Sequence, residues 1–375
     1  MLRIRNNERA FLELLKAGLW EQDVQLFPYE KVDFKEVCRI AQEQCVIGLV
    51  LQGIDRFMVH GSRFMVPQEV LLPWIGEVQM IEQRNKGMNK FVAELIERLR
   101  KENIHALLVK GQGIAQCYER PLWRACGDVD LFLDKANYTK AKTFLSSVAT
   151  TVGNENEKRC HLDMTINSWT VELHGTLHCG WSEKVDTVID RVQDDMFANR
   201  KFRVWKNDAT DVLLPAPDED VFFVFSHILQ HFFKGGIGLR QVCDWCRLLW
   251  TFREEIDVGL LEQRIKSAGF MTEWKAFAAL AVNTLGMPED AMPLYDSQFT
   301  AKGDRVLAFI LETGNFGHNR DTSYKQRYPF LIRKTISVYL HTLDYMTQFL
   351  IFPIDSIRAW YHMLTYGMDW AMKGK

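Results

Sequence analysis

Apolar positions recur at helical spacing through the first quarter of the chain, with Phe11, Leu12, Leu14 and Leu15 in one segment and Val37, Ile40, Ala41 and Cys45 in another. A long helix is expected after Pro73, because Ile81, Met88, Val92, Leu95 and Leu99 return to one face while Glu94, Glu97, Arg98 and Arg100 occupy the other. The period then changes. Ala106-Leu107-Leu108-Val109 is a short continuous apolar run, as in a strand buried on both faces, and Lys110-Gly111-Gln112-Gly113 breaks it and opens a helix. Gly127-Asp128-Val129-Asp130-Leu131-Phe132-Leu133 reads as a second strand, followed by a helix with Ala141, Phe144 and Leu145 on one side. Two further strands are expected at about 159–166 and 169–175, joined by hairpin chemistry at Asn167-Ser168. From Pro215 onward the chain turns helical again, with Asp218 as N-cap and Gly235–Gly238 separating two helices. Further helical patterns run through 258–268, 272–285, 304–312 and much of 331–350. The pattern is α+β: a central mixed sheet between N- and C-terminal helical regions, with divisions at 1–75, 76–212 and 213–375.

Composition narrows the class. Of 375 residues, 47% are hydrophobic and 25% charged, which suits a globular chain with a large core and excludes a disordered one. The formal net charge of −2 supplies no global basic field, so a nucleic-acid partner would need a local patch. Apolar stretches end well before the roughly 18–20 residues of a membrane span. The N-terminal residues lack a signal-peptide pattern, so a cytoplasmic location is expected. Eight cysteines scattered through apolar contexts suit reduced core thiols, and Cys243-Asp244-Trp245-Cys246 has no second pair to make a zinc or redox site.

The chemistry concentrates in the central region. Asp128 and Asp130 stand two apart in a strand and so share a face, about 5–7 Å from each other. Carboxylates that close repel unless a cation lies between them, and hard oxygen donors favour magnesium or manganese. Upstream, the glycine turn offers backbone N–H groups to phosphate oxygens. Downstream, Val171-Glu172-Leu173 places a lone carboxylate in a strand, where it can complete a three-carboxylate, two-metal set. Asp163 is an alternative ligand, and His174 shares the face of Glu172.

Over about 104–178 the chain resembles the nucleotidyltransferase superfamily with a DNA-polymerase-beta-like palm, in particular a bacterial uncharacterised nucleotidyltransferase-like group. The resemblance is carried by Leu108-Val109-Lys110-Gly111, Arg124, Gly127-Asp128-Val129-Asp130-Leu131 and Val171-Glu172-Leu173-His174, with a weaker echo at His227, His231, Leu239-Arg240 and Asp244-Trp245. Asp128 lies 17 residues after Gly111, where the superfamily more commonly has about ten; the longer spacing fits the uncharacterised group. The resemblance implies that Asp128, Asp130 and Glu172 hold Mg2+ or Mn2+ against a nucleoside triphosphate. Glu172 would also take the acceptor's proton. Lys110, Gly111, Gly113 and Arg124 would contact the nucleotide. The acceptor is left open among small molecules, proteins and nucleic acids. Two other readings remain at this level, a nucleotide-binding regulator without catalysis and a helical scaffold.

The helical half adds His227 and His231, four apart on a helix that is apolar nearly all round. If Gly235–Gly238 closes a helical hairpin, His227 lies level with Asp244 and His231 with Arg240, which predicts one hydrogen-bonded cluster beside the palm. A structural network and a nucleotide- or acceptor-facing role both fit that placement. The aromatic tail, from Tyr339 and Tyr345 through Phe349, Phe352, Trp360, Tyr361, Tyr366 and Trp370, reads as packing surface.

Overall fold

The computed structural model describes residues 5–23, 32–59, 66–320 and 323–372, with backbone alone at 57–59, 331 and 366–372. The side chains of Tyr366 and Trp370 therefore lie outside the described residues. Three helices come first, α1 (Asn6–Trp20), α2 (Phe34–Glu43) and α3 (Ile47–Val59). Gly18 and Gly53 let α1 and α3 meet backbone to backbone: a Cβ on Gly18 would fall 1.8 Å from the Leu49 carbonyl oxygen. The long helix α4 (Gln68–Lys101) begins before Pro73, which sits inside it. Its sixth residue lies close enough to the N-terminus that little of the hydrogen-bond ladder is lost there.

The central unit runs β1 (Leu107–Val109), α5 (Gly111–Ala115), β2 (Val129–Phe132), α6 (Lys135–Val148), β3 (Thr151–Val152), β4 (His161–Ile166) and β5 (Trp169–His174). These strands form one mixed sheet in the order β1-β2-β5-β4-β3. β2 and β5 are parallel and every other pair is antiparallel. Asn167 and Ser168 both take positive φ, of 49° and 69°, as a two-residue hairpin twisted with its strands requires. Helix α7 (Glu183–Ala198) then leads into β6 (Phe202–Asn207) and β7 (Thr210–Pro215), a separate hairpin that the strand pattern did not predict. β7 packs beside β1.

The rest is helical: α8 (Pro217–Lys234), α9 (Leu239–Thr251), α10 (Val258–Ala268), α11 (Met271–Asn283), α12 (Thr300–Thr313), the single turn α13 (Tyr324–Arg327), α14 (Phe330–Phe349) and α15 (Pro353–Met372). The N-cap of α8 is Ala216, with Pro217 at the first helical position, and not Asp218; Asp218, Glu219 and Asp220 occupy the first turn, where they complement the helix dipole.

Two cores result. The smaller lies between α4, α6 and one face of the five-stranded sheet, and includes Met88, Leu95, Leu108, Val129, Leu131, Leu162 and Val171. The larger joins the first three helices to α8, α9, α11 and α12 through Phe11, Leu15, Ile54, Phe225, Trp245 and Phe277. It reaches the opposite face of the sheet through Phe132, which meets Phe223 of α8 edge-on at 6.1 Å. Helix α8 thus roofs the sheet face that carries the carboxylates. All eight cysteines are free, and Cys243 and Cys246 are fully buried within α9. No helix among the described residues is long and apolar enough to cross a membrane. Of the tail aromatics, Tyr345 and Phe352 are buried, while Tyr339, Phe349, Trp360 and Tyr361 are exposed.

Candidate functional site

Strand register assembles the site. Asp130 of β2 lies directly opposite Glu172 of β5, and Glu172 opposite Asp163 of β4, so a row of three carboxylates crosses three adjacent strands. One step along, Phe132, His174 and His161 form a parallel row. Residues two apart share a sheet face, so both rows point the same way, towards α8. Asp128 stands just before β2 begins. Val129 and Leu131, which alternate with the aspartates, are fully buried in the smaller core, which explains why the aspartates face outward from it.

The two aspartates differ in surroundings. Asp130 is 3% exposed, and one of its oxygens takes both the Lys110 ammonium, at 3.0 Å, and His174 Nε2, at 2.8 Å. Burial alone would raise its pKa, but the Lys110 charge and the His174 hydrogen bond outweigh it and hold the carboxyl below the usual range. Among the described residues Asp128 has no such hydrogen-bonded partner. Burial first, then the negative charges of Asp130 and Glu172, push it up to about 6. Lys110 is the only non-glycine in the β1–α5 turn at positive φ, 57° with ψ −143°, a conformation few side-chain-bearing residues adopt. Gly111 follows at φ +33°. The unusual backbone aims the Lys110 ammonium at Asp130, and burial is overcome by the Asp130 and Glu172 charges to raise its pKa.

Two adjoining cavities open above this row. One, of about 290 Å³, is lined by Lys110, Gly111, Arg124, Asp128, Asp130, Glu172, His227, His231, Arg240 and Asp244 among others. The second, of about 230 Å³, shares Lys110, Glu172, His227 and His231 and adds His161 and His174. Of the candidate site residues singled out from sequence, Gly113 and the alternative ligand Asp163 line neither, and Asp163 turns to solvent. Gly113 faces β7, where a Cβ would fall 2.8 Å from Leu214, so close packing accounts for this glycine.

The predicted cluster across the α8–α9 hairpin does not form as expected. His227 and His231 touch each other at 4.4 Å between ring centres, and His231 also meets Phe316. Asp244 instead accepts two bonds from Arg124, at 3.1 and 2.5 Å, and one from the Tyr118 hydroxyl at 2.8 Å. Arg240 donates to the Ala125 carbonyl at 2.7 Å. The remaining Arg124 donor group reaches the Ala125 carbonyl and the Cys126 thiol. Arg124 thus stands in the cavity wall with its donors committed, fastening the loop before β2 to α9. Burial, then the Lys110 charge, lowers both α8 histidines, His231 to about 3, so both are neutral at pH 7.

Sequence reasoning missed His161 and Tyr118. His161 stands two residues before Asp163 in a predicted strand, so period-two spacing alone places it on the carboxylate face. Its Nε2 lies 3.2 Å from Glu172 and 3.3 Å from Asp163, and the Glu172 hydrogen bond raises its pKa. Tyr118 carried no such signal, since its partner is 126 residues away.

The donor set fits a hard divalent cation. Asp128, Asp130 and Glu172 face one cavity, burial and the neighbouring carboxylates make Asp128 hold its proton more tightly, and the Lys110 ammonium already occupies a cation's place beside Asp130. A profile of the uncharacterised nucleotidyltransferase family matches residues 30–286, about two thirds of the chain. Neither a curated protein nor a solved structure matches. With strand order, glycine turn and paired aspartates all inside the matched span, the chain belongs to the uncharacterised nucleotidyltransferase family.

Proposed function

We propose that the protein moves a nucleoside monophosphate from a nucleoside triphosphate to an acceptor hydroxyl. The acceptor oxygen bonds to the α-phosphorus, the bond from that phosphorus to the bridging oxygen of the β-phosphate breaks, and pyrophosphate leaves. The observation that carries this reading is the register of Asp130 against Glu172, with Asp128 one residue outside β2, all three on one cavity wall.

Each residue then has a task. Asp128 and Asp130 would hold Mg2+ or Mn2+, with Glu172 as the third ligand. Such an ion neutralises charge on the triphosphate and the departing pyrophosphate. Lys110, released from Asp130 when that carboxylate turns to a cation, would reach a phosphate oxygen as a mobile point charge. Glu172, between the two cavities, would accept the acceptor's proton. Arg124 acts at one remove by pinning the loop that leads into Asp128, and it does not need to touch phosphate. Neutral His227 and His231 on the roof can accept or donate hydrogen bonds without adding charge.

Equilibrium binding of nucleoside triphosphates with and without magnesium tests the reading. Wild-type protein is expected to bind in a magnesium-dependent manner, and Asp128→Asn and Asp130→Asn to lose that dependence. Unchanged affinity in both variants would contradict it. Magnesium-dependent binding with no transfer to any acceptor would favour a nucleotide-binding regulator.

A further inference from the structure

The two rows on β4 and β5 carry a second ligand set, of which the carboxylate reading uses Glu172 alone. His161 faces His174 and Asp163 faces Glu172 across the antiparallel pair, giving a square of side chains on one face. At its centre one Glu172 oxygen lies 3.2 Å from His161 Nε2 and 3.5 Å from His174 Nε2. One ligand atom from each of the three lies within 4.8 Å of the others. A tetrahedral ion with bonds of about 2.0–2.1 Å separates its ligands by about 3.3–3.4 Å, so the two spacings to Glu172 are those of a coordination shell.

Chemistry separates this set from the aspartates beside it. Two imidazoles and one carboxylate suit borderline divalent ions such as zinc and cobalt, whereas magnesium takes oxygen. The position is reachable. The side chains of His161 and Glu172 are 31% and 24% exposed, and His174 is 10% exposed. All three line the 230 Å³ cavity, which leaves an open side for a fourth ligand. Asp163, 3.3 Å from His161 Nε2 and facing solvent, stands ready to supply that ligand from the outer edge.

We propose that His161, Glu172 and His174 bind a zinc-class divalent ion, in a position beside the one at Asp128 and Asp130 and sharing Glu172 with it. The site stands on β4 and β5 and holds whether or not the carboxylates serve nucleotidyl transfer. A rival account makes the same contacts a hydrogen-bonded relay with no ion.

Cobalt(II) added to chelator-stripped full-length protein, in excess magnesium and without nucleotide, decides between them. The site predicts saturable visible absorption of four- or five-coordinate cobalt at one equivalent, abolished by stoichiometric zinc. His161→Ala and His174→Ala should each weaken cobalt binding by at least about tenfold, and Asp128→Asn should leave it in place. His174 also supports Asp130, so if His174→Ala fails to fold, the partly exposed His161→Ala carries the test, with circular dichroism confirming its fold. Cobalt binding that survives both histidine substitutions, or that vanishes equally in Asp128→Asn, would overturn the proposal. So would the absence of any spectral change in folded wild-type protein.

Discussion

Asp128 and Asp130 are two residues apart and respond oppositely to the same cavity. Asp128 is raised to about 6 from an ordinary 3.8, so without a cation its ionisation costs stability. That cost is absent below about pH 4, grows as pH rises towards 6 and is constant above. Asp128→Asn should therefore stabilise the metal-free protein at pH 7.5 by about 1–3 kcal/mol and change little at pH 4. Asp130 is depressed, so it contributes stability that is present above the ordinary aspartate range and lost as pH falls. Asp130→Asn strands the Lys110 ammonium and should cost on the order of 2–4 kcal/mol at pH 7.5. Chelator-treated melts of both variants at the two pH values check this. Shifts of equal sign at pH 7.5 would show that Lys110 does not discriminate between the aspartates. Spacing in the sequence makes both aspartates plain, but not this difference, which depends on Lys110 and His174 reaching Asp130 from β1 and β5.

Two buried polar connections between elements govern stability, the first of them at the site. The first is the Arg124–Asp244 pair, with both side chains less than 10% exposed and Tyr118 closing the triangle. Breaking it from either side leaves a buried charge, so Arg124→Met and Asp244→Asn should each destabilise by about 3–5 kcal/mol. The double variant should lose less than the sum by at least about 1 kcal/mol, and additivity in denaturant unfolding would mean the pair does not form. The second is Glu273 of α11 against Asp355 of α15. Burial, then the Asp355 charge, pushes Glu273 up to about 9, and one of its oxygens has no partner. A raised carboxyl costs stability as pH climbs from 4.5 towards 9. Glu273→Gln should accordingly raise the melting temperature at pH 8 while leaving it nearly unchanged at pH 4.5. A pH-independent difference between the two proteins would count against a raised Glu273 carboxyl. Most elements were legible in the sequence because their periods are strong: the buried run of β1, the Asn167-Ser168 turn and the paired rows of β4 and β5. The β6–β7 hairpin was not, since Asp208-Ala209 closes it without a glycine, and Trp205 and Lys206 dilute the alternation. Level positions across the α8–α9 hairpin were legible, but partners were not, because Asp244 turns to Arg124 from a segment 120 residues earlier.

Across the whole molecule, the sheet supplies the carboxylates and the helical half supplies the roof. The first three helices share their core with α8, α9, α11 and α12, so the chain's two ends brace the cavity together. That placement puts Glu172 in the wall common to both cavities, one of which also holds Asp128 and Asp130. The measurement that bears most directly on the account is transfer of label from α-labelled nucleoside triphosphates, with magnesium, to the proteins, nucleic acids and metabolites of a cell extract, comparing wild type with Glu172→Gln. Wild-type protein should label an acceptor and release pyrophosphate, while Glu172→Gln should bind triphosphate and yet transfer at least about 100-fold more slowly. Equal transfer by the two proteins, or no magnesium-dependent triphosphate binding by either, would contradict the assignment of these carboxylates to nucleotidyl transfer.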